Sequence, residues 1–267
     1  MLSKPEQIFQ SLKPRITEAL LHGGIWAFSG LLFAILFVTF AVFAENWLLP
    51  LKAYLFGGVM AGTISALMYS SMRLVVFISL VLFPFGIFFF INSIDEIVMS
   101  DLLKILIPPG LVIGAAYGFF SKRSQIGHAD AKTLAGFSAG FLASLCYLLI
   151  QAIIPGIDMA WSVGVLSTTT GAFYIMLVPI YVRLYHDLLP PFGDGALVGV
   201  ASAVFISFSL FMMAGSIDTF TTGELIPEIA SILELFPDAA LGGVVGSGLM
   251  GIIFGFVLTN WQDRNND

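Results

Sequence analysis

Eight stretches of this chain, each 17 to 22 residues long, contain no aspartate, glutamate, lysine, arginine or histidine. They are Ile25–Ala44, Ala53–Met72, Leu74–Ile91, Ile105–Ser121, Thr133–Ile154, Trp161–Val182, Gly195–Gly215 and Ala239–Asn260. A helix rises about 1.5 Å per residue, so each run comes close to the ~30 Å hydrocarbon thickness of a bilayer. In lipid every backbone N–H and C=O must find its partner within the protein, and a helix supplies those partners internally. The fold class that follows is an all-α polytopic membrane protein of about eight transmembrane helices. Only Ser71, Met72 and Arg73 part the second run from the third. One continuous helix of that combined length would overrun the bilayer, so two spans are expected.

Composition agrees. The 267 residues are 58% hydrophobic and 10% charged, against about 25% charged in soluble domains. A water-soluble globule is excluded, and so is a disordered chain, which needs low hydrophobicity and high charge. With no basic face, nucleic acid is not an expected partner; the lipid bilayer is. The single cysteine, Cys146, lies inside the fifth run, so no disulfide forms within the chain. No cleavable signal peptide is expected, because the first run is long and no small-residue cleavage site follows it.

Orientation follows from the basic residues. With a cytoplasmic N-terminus, Lys4, Lys13, Arg15, Arg73, Lys122, Arg123, Lys132, Arg183 and Arg264 lie inside, and only Lys52 and Lys104 outside. Acidic residues, among them Glu45, Asp95, Asp101, Asp158, Asp218 and Glu228, fall outside. The four tryptophans fall at span ends, Trp26 and Trp261 inside, Trp47 and Trp161 outside, as an interfacial aromatic belt requires. Both termini are then cytoplasmic, in a multi-pass protein of a cell membrane of the prokaryotic inner-membrane kind. Ahead of the first span, residues 1–22 carry Ile8, Leu12, Ile16 and Leu20 every fourth position beside basic residues. This reads as a basic amphipathic helix on the inner surface, kinked at Pro14.

The two halves, 23–127 and 128–267, resemble each other in order. Phe28-Ser29 matches Phe137-Ser138, and Gly62 matches Gly171. Val76-Phe77-Ile78-Ser79 matches Val204-Phe205-Ile206-Ser207, and Ser93-Ile94-Asp95 matches Ser216-Ile217-Asp218. Gly114 and Gly118-Phe119 match Gly251 and Gly255-Phe256. Four spans per half make the repeats parallel, related by an axis along the membrane normal. Between spans three and four, and again between seven and eight, Asp95–Leu106 and Glu224–Phe236 read as outer interfacial helices ending at Pro108-Pro109 and Pro237.

No Asp, Glu, Lys, Arg or His lies mid-span, which argues against a proton pump with a central carboxylate and against a voltage sensor. The polar groups at mid-depth are hydroxyls: Thr63 and Ser65 in span two, and Ser167, Thr168, Thr169 and Thr170 in span six. They are the expected substrate path, although small and hydroxylated residues also serve ordinary helix packing. Pro84 and Pro179 could free backbone carbonyls towards it. Asp95 and Asp218 are the expected outer entrance. The glycine ladders Gly110/Gly114/Gly118 and Gly243/Gly251/Gly255 let backbones approach closely, either crossing each other or joining a second copy or a partner subunit.

Gly136-Phe137-Ser138-Ala139-Gly140 spells G-x-S-x-G, but inside a span rather than at a strand–helix turn. Asp194 has no second membrane aspartate to form a dyad. No metal-ligand spacing and no cofactor motif occurs. The function expected is a channel or carrier for a small uncharged or cationic solute between the repeats. The competing readings are a non-catalytic membrane subunit or scaffold, and a serine hydrolase depending on Ser138.

Overall fold

The computed structural model describes residues 4–45, 48–92, 99–121, 128–185, 188–222 and 227–266. Within these, the side chains at 4–15, 70, 90–92, 215–222 and 257–266 lie outside the description. The described chain forms eight helices: α1 Lys4–Glu45, α2 Pro50–Ser70, α3 Met72–Asn92, α4 Met99–Phe120, α5 Ala129–Ile153, α6 Met159–Leu184, α7 Pro191–Thr222 and α8 Pro227–Asn266. All eight are long and apolar enough to cross a membrane. The helices hold despite many glycines and β-branched residues, because in lipid an unpaired peptide group costs more than poor helix propensity.

The joints are short and chemically marked. Pro50 opens α2, where its missing N–H costs nothing. A single non-helical residue, Ser71, divides α2 from α3. Gly156, at φ 82°, turns the chain after α5. Asp158 caps α6 by accepting from the Trp161 amide at 2.9 Å.

Five helices close into a ring in the order α1, α2, α5, α6, α8 and back to α1. The other three, α3, α4 and α7, form an annex in which α7 packs on both α3 and α4. From Ser71, α3 swings away to α7 instead of folding back on α2. Phenylalanines join ring to annex: Phe40 meets Phe208 at 5.0 Å between ring centroids, and Phe43 meets Phe211 at 5.7 Å. Running directions alternate. Gly23 and Gly30 of α1 lie against Gly248 and Gly243 of α8, so these helices are antiparallel, and α6 runs parallel to α8. The start of α1 and the end of α8 therefore share one end of the bundle, hereafter the terminal end.

Glycine makes four of these seams possible. Gly110 and Gly114 of α4 meet Gly199 and Gly195 of α7. Gly30 of α1 meets Gly243 of α8, and Gly164 of α6 meets Gly242 and Gly246 of α8. A Cβ at Gly140 of α5 would stand 2.6 Å from the Gly58 carbonyl oxygen of α2, and one at Gly62 2.9 Å from that of Gly136. The two ladders read from the sequence thus neither cross each other nor face outward; each is covered by another helix of the same chain. The lipid side carries large apolar groups instead, such as Leu80, Phe88, Phe119, Phe120 and Ile153.

Several expectations need correction. The helix from Lys4 is continuous through Pro14 into the first span. The described parts of the two stretches expected as separate interfacial helices are the opening turns of α4 and α8, with Pro108-Pro109 and Pro237 inside those helices. Met99, Leu102 and Leu106 on α4 and Ile229 and Ile232 on α8 are buried there, and this apolar contact carries each helix past its prolines. Under the duplication α1–α2 corresponds to α5–α6, and both pairs pack alike. The α1–α8 seam has no counterpart of similar extent between α5 and α4 among the described residues.

Candidate functional site

Inside the ring, α1, α2, α6 and α8 surround a cavity of about 540 Å3, its mouth included. On α2 the lining residues are Gly62, Ser65, Ala66 and Tyr69; on α6 they are Ser167, Thr170, Gly171 and Tyr174. Both sets fall at i, i+3, i+4 and i+7, one stripe of a helix. Both read small, hydroxyl, small, tyrosine. The two helices run the same way, so each tyrosine lies about one turn nearer the terminal end than the hydroxyl of its own stripe, Ser65 on α2 and Thr170 on α6. From α1 come Trp26, Ser29 and Phe33, and from α8 comes Ser247.

The hydroxyls divide into two kinds. Thr63 donates to Val59 O at 2.7 Å, Thr168 to Gly164 O at 2.7 Å and Thr169 to Val165 O at 2.6 Å. These three satisfy themselves on their own helix, and none lines the cavity. Ser167 also bonds back, to Gly164 O at 3.2 Å, but it does line the cavity. Ser65 Oγ and Thr170 Oγ1 are buried and have no hydrogen-bond partner among the described residues. Of the six expected path residues, Ser65, Ser167 and Thr170 are brought together and Thr63, Thr168 and Thr169 are not.

Trp26 was expected in the interfacial belt. Its indole instead lies half-buried over Gly171, while Gly251 leaves room for its Cβ and Cγ. A side chain at either glycine would collide with it, so two notches, on α6 and α8, hold the ring at the cavity wall. Away from the terminal end the ring interior is filled. Phe33 stacks on Phe37 at 6.2 Å, Phe37 meets Tyr54 at 5.7 Å, and Tyr54 meets Tyr147 at 6.3 Å. The Tyr147 hydroxyl bonds Ser162 Oγ at 2.7 Å. Phe37 and Tyr147 are fully buried, so this aromatic column seals that side. Pro84 and Pro179 are exposed and line no part of the cavity.

Two aspartates that the sequence seemed to separate lie side by side. Asp194, in the first turn of α7, accepts from the Asp130 amide at 2.9 Å. The Asp130 carboxylate accepts from the Ala131 amide at 2.7 Å and from the Leu189 amide at 3.0 Å. Both residues are buried. The reading that Asp194 stands alone is therefore wrong. Three carboxylate oxygens nonetheless accept from backbone N–H groups at helix starts, the placement expected of caps. A hydrolytic dyad would instead turn its oxygens to a shared water.

The G-x-S-x-G stretch is likewise accounted for by packing. Gly136 and Gly140 form the α2 seam, and Ser138 shares a 2.7 Å hydrogen bond with the Tyr181 hydroxyl rather than with an imidazole or carboxylate. Asp95 lies outside the described residues, as does the side chain of Asp218. Among the described residues no three His, Cys, Asp or Glu side chains gather to hold a metal. The matched stripes on α2 and α6 were present in the sequence, and comparing helix faces rather than linear clusters would have found Gly62, Tyr69, Gly171 and Tyr174. The chain matches no protein family, no curated protein and no solved structure at significant similarity.

Proposed function

We propose that this protein is a membrane channel or carrier for a small uncharged or cationic solute, with its path through the five-helix ring. The observation that carries the reading is the cavity of α1, α2, α6 and α8, walled by hydroxyls and aromatic rings and free of Asp, Glu, Lys, Arg and His among its described lining. A cavity closed towards one end by stacked rings has the form of a carrier site sealed on that side. On this reading the Phe37–Tyr54–Tyr147 column is the part that must part for passage. The nine-to-two distribution of basic residues supports cytoplasmic termini, and hence a cavity facing the cytoplasm. The ordered sequence matches support two parallel four-span repeats; the stripes on α2 and α6 stand four residues out of the register that pairs Gly62 with Gly171, so they are alike in composition rather than equivalent positions.

Reconstitution into sealed vesicles tests the proposal, with solute entry followed by light scattering for neutral solutes and by tracer for cations. Entry above that of empty vesicles is expected, altered by Ser65→Ala and Thr170→Val and unaltered by Thr63→Val. Entry equal to that of empty vesicles overturns it. In that event, co-purification with another membrane protein would favour a non-transporting subunit. Labelling of Ser138 by a serine-directed probe would favour hydrolase chemistry.

A further inference from the structure

Resting on that reading of the cavity, we infer its ligand class: a small neutral molecule with a flat apolar body and one hydrogen-bonding group, held between Ser65 of α2 and Thr170 of α6.

The argument starts from the two hydroxyls. A serine or threonine within a helix ordinarily satisfies itself on the carbonyl three or four residues back. Thr39, Thr63, Thr168, Thr169, Ser202 and Ser207 all do so. Thr170, only 7% exposed, and Ser65 do not, and both line the cavity from two different helices. A buried hydroxyl without a partner is costly, so a polar atom that both accepts and donates belongs between them.

The rest of the wall defines the body of the ligand. Trp26, Phe33, Tyr69 and Tyr174 supply ring surface, with the Trp26 indole itself seated over Gly171. With the open mouth left out, about 80 Å3 is open to the centre of a water-sized sphere, well below the ~300–1,000 Å3 of drug-sized sites, so the ligand is small. Charge is disfavoured. An anion finds no basic side chain in the described lining, and a cation finds no carboxylate. Either would leave its hydration shell without a counter-charge, which ring faces offset only in part.

Four matched probes separate these chemistries: benzyl alcohol, toluene, benzylammonium and benzoate. Trp26 reports binding by fluorescence once Trp47, Trp161 and Trp261 are replaced by phenylalanine, in lipid nanodiscs with empty discs as the partition control. Should that variant fail to fold, calorimetric titration of the unaltered protein gives the same ranking. Benzyl alcohol is expected to bind saturably, about tenfold more tightly than toluene, with both ions weaker still. Ser65→Ala together with Thr170→Val should bring benzyl alcohol down to toluene's affinity. Equal affinity for alcohol and toluene, tighter binding of either ion, an unaffected double variant, or no saturable binding overturns the inference. Solute entry without benzyl alcohol binding removes this inference alone; binding without entry removes the transport reading alone.

Discussion

At the scale of single residues, glycine does two different jobs in this chain, and alanine tells them apart. A Cβ at Gly30 would press into the Gly243 backbone and stand 2.7 Å from Ser247 Cβ, whereas one at Gly24 meets nothing within 4 Å. Gly30→Ala is expected to cost about 1–3 kcal/mol through overpacking. Gly24→Ala should be neutral or stabilising by up to about 1 kcal/mol, because it removes backbone freedom from the unfolded chain. Thermal unfolding in detergent, followed by circular dichroism, gives the comparison. Equal melting of the two variants would show that the α1–α8 seam is not tight. The same scale shows why the cavity was only half legible. Successive side chains on a helix point about 100° apart, so the run Ser167-Thr168-Thr169-Thr170 sends its hydroxyls in four directions. Of this run, Ser167 and Thr170 line the cavity. Which hydroxyls face inward depends on where α1, α2 and α8 stand, and no local pattern carries that.

Among the elements, the spans themselves were readable because the cost of burying charge in lipid is large and local. The break between α2 and α3 lies at Ser71, two residues before the arginine that parts the two apolar runs. Helix partners were not readable. A glycine ladder says that some backbone comes close without saying whose, and Gly110/Gly114/Gly118 fit α7 only because Gly195 and Gly199 answer them. Ring and annex are joined at two levels, by the phenylalanines of α1 and α7 and, nearer the terminal end, by the Asp130–Asp194 caps. Asp130→Ala leaves the Ala131 and Leu189 amides without their acceptor. A loss of about 1–3 kcal/mol is expected, with Asp130→Asn milder because one carbonyl oxygen remains. Proteolysis at the α6–α7 connection should accelerate in Asp130→Ala, since the Leu189 bond holds that connection down. An unchanged digestion rate would show that the caps do not tie ring to annex.

For the whole molecule, alternating helix directions set an accessibility pattern that chemical labelling can read. In a background of Cys146→Ala, Leu49→Cys and Gly156→Cys should react with an impermeant reagent from one side of oriented membrane vesicles. Leu188→Cys should react only from the other. On the proposed topology, with cytoplasmic termini, the side on which Leu188 reacts is expected to be the cytoplasmic one. Labelling of all three from a single side would contradict eight alternating spans. The joint at Ser71 bears on motion at this scale. Consecutive Cα atoms are about 3.8 Å apart, so one residue between two helices leaves almost no slack. If α2 tilts to open the aromatic column, its far tip pulls the first turn of α3, and with it the bundle seated on α7. The annex then behaves as a lever arm on a bell crank, and a fold that looks like a passive buttress becomes a place where grip on the outside could govern traffic within.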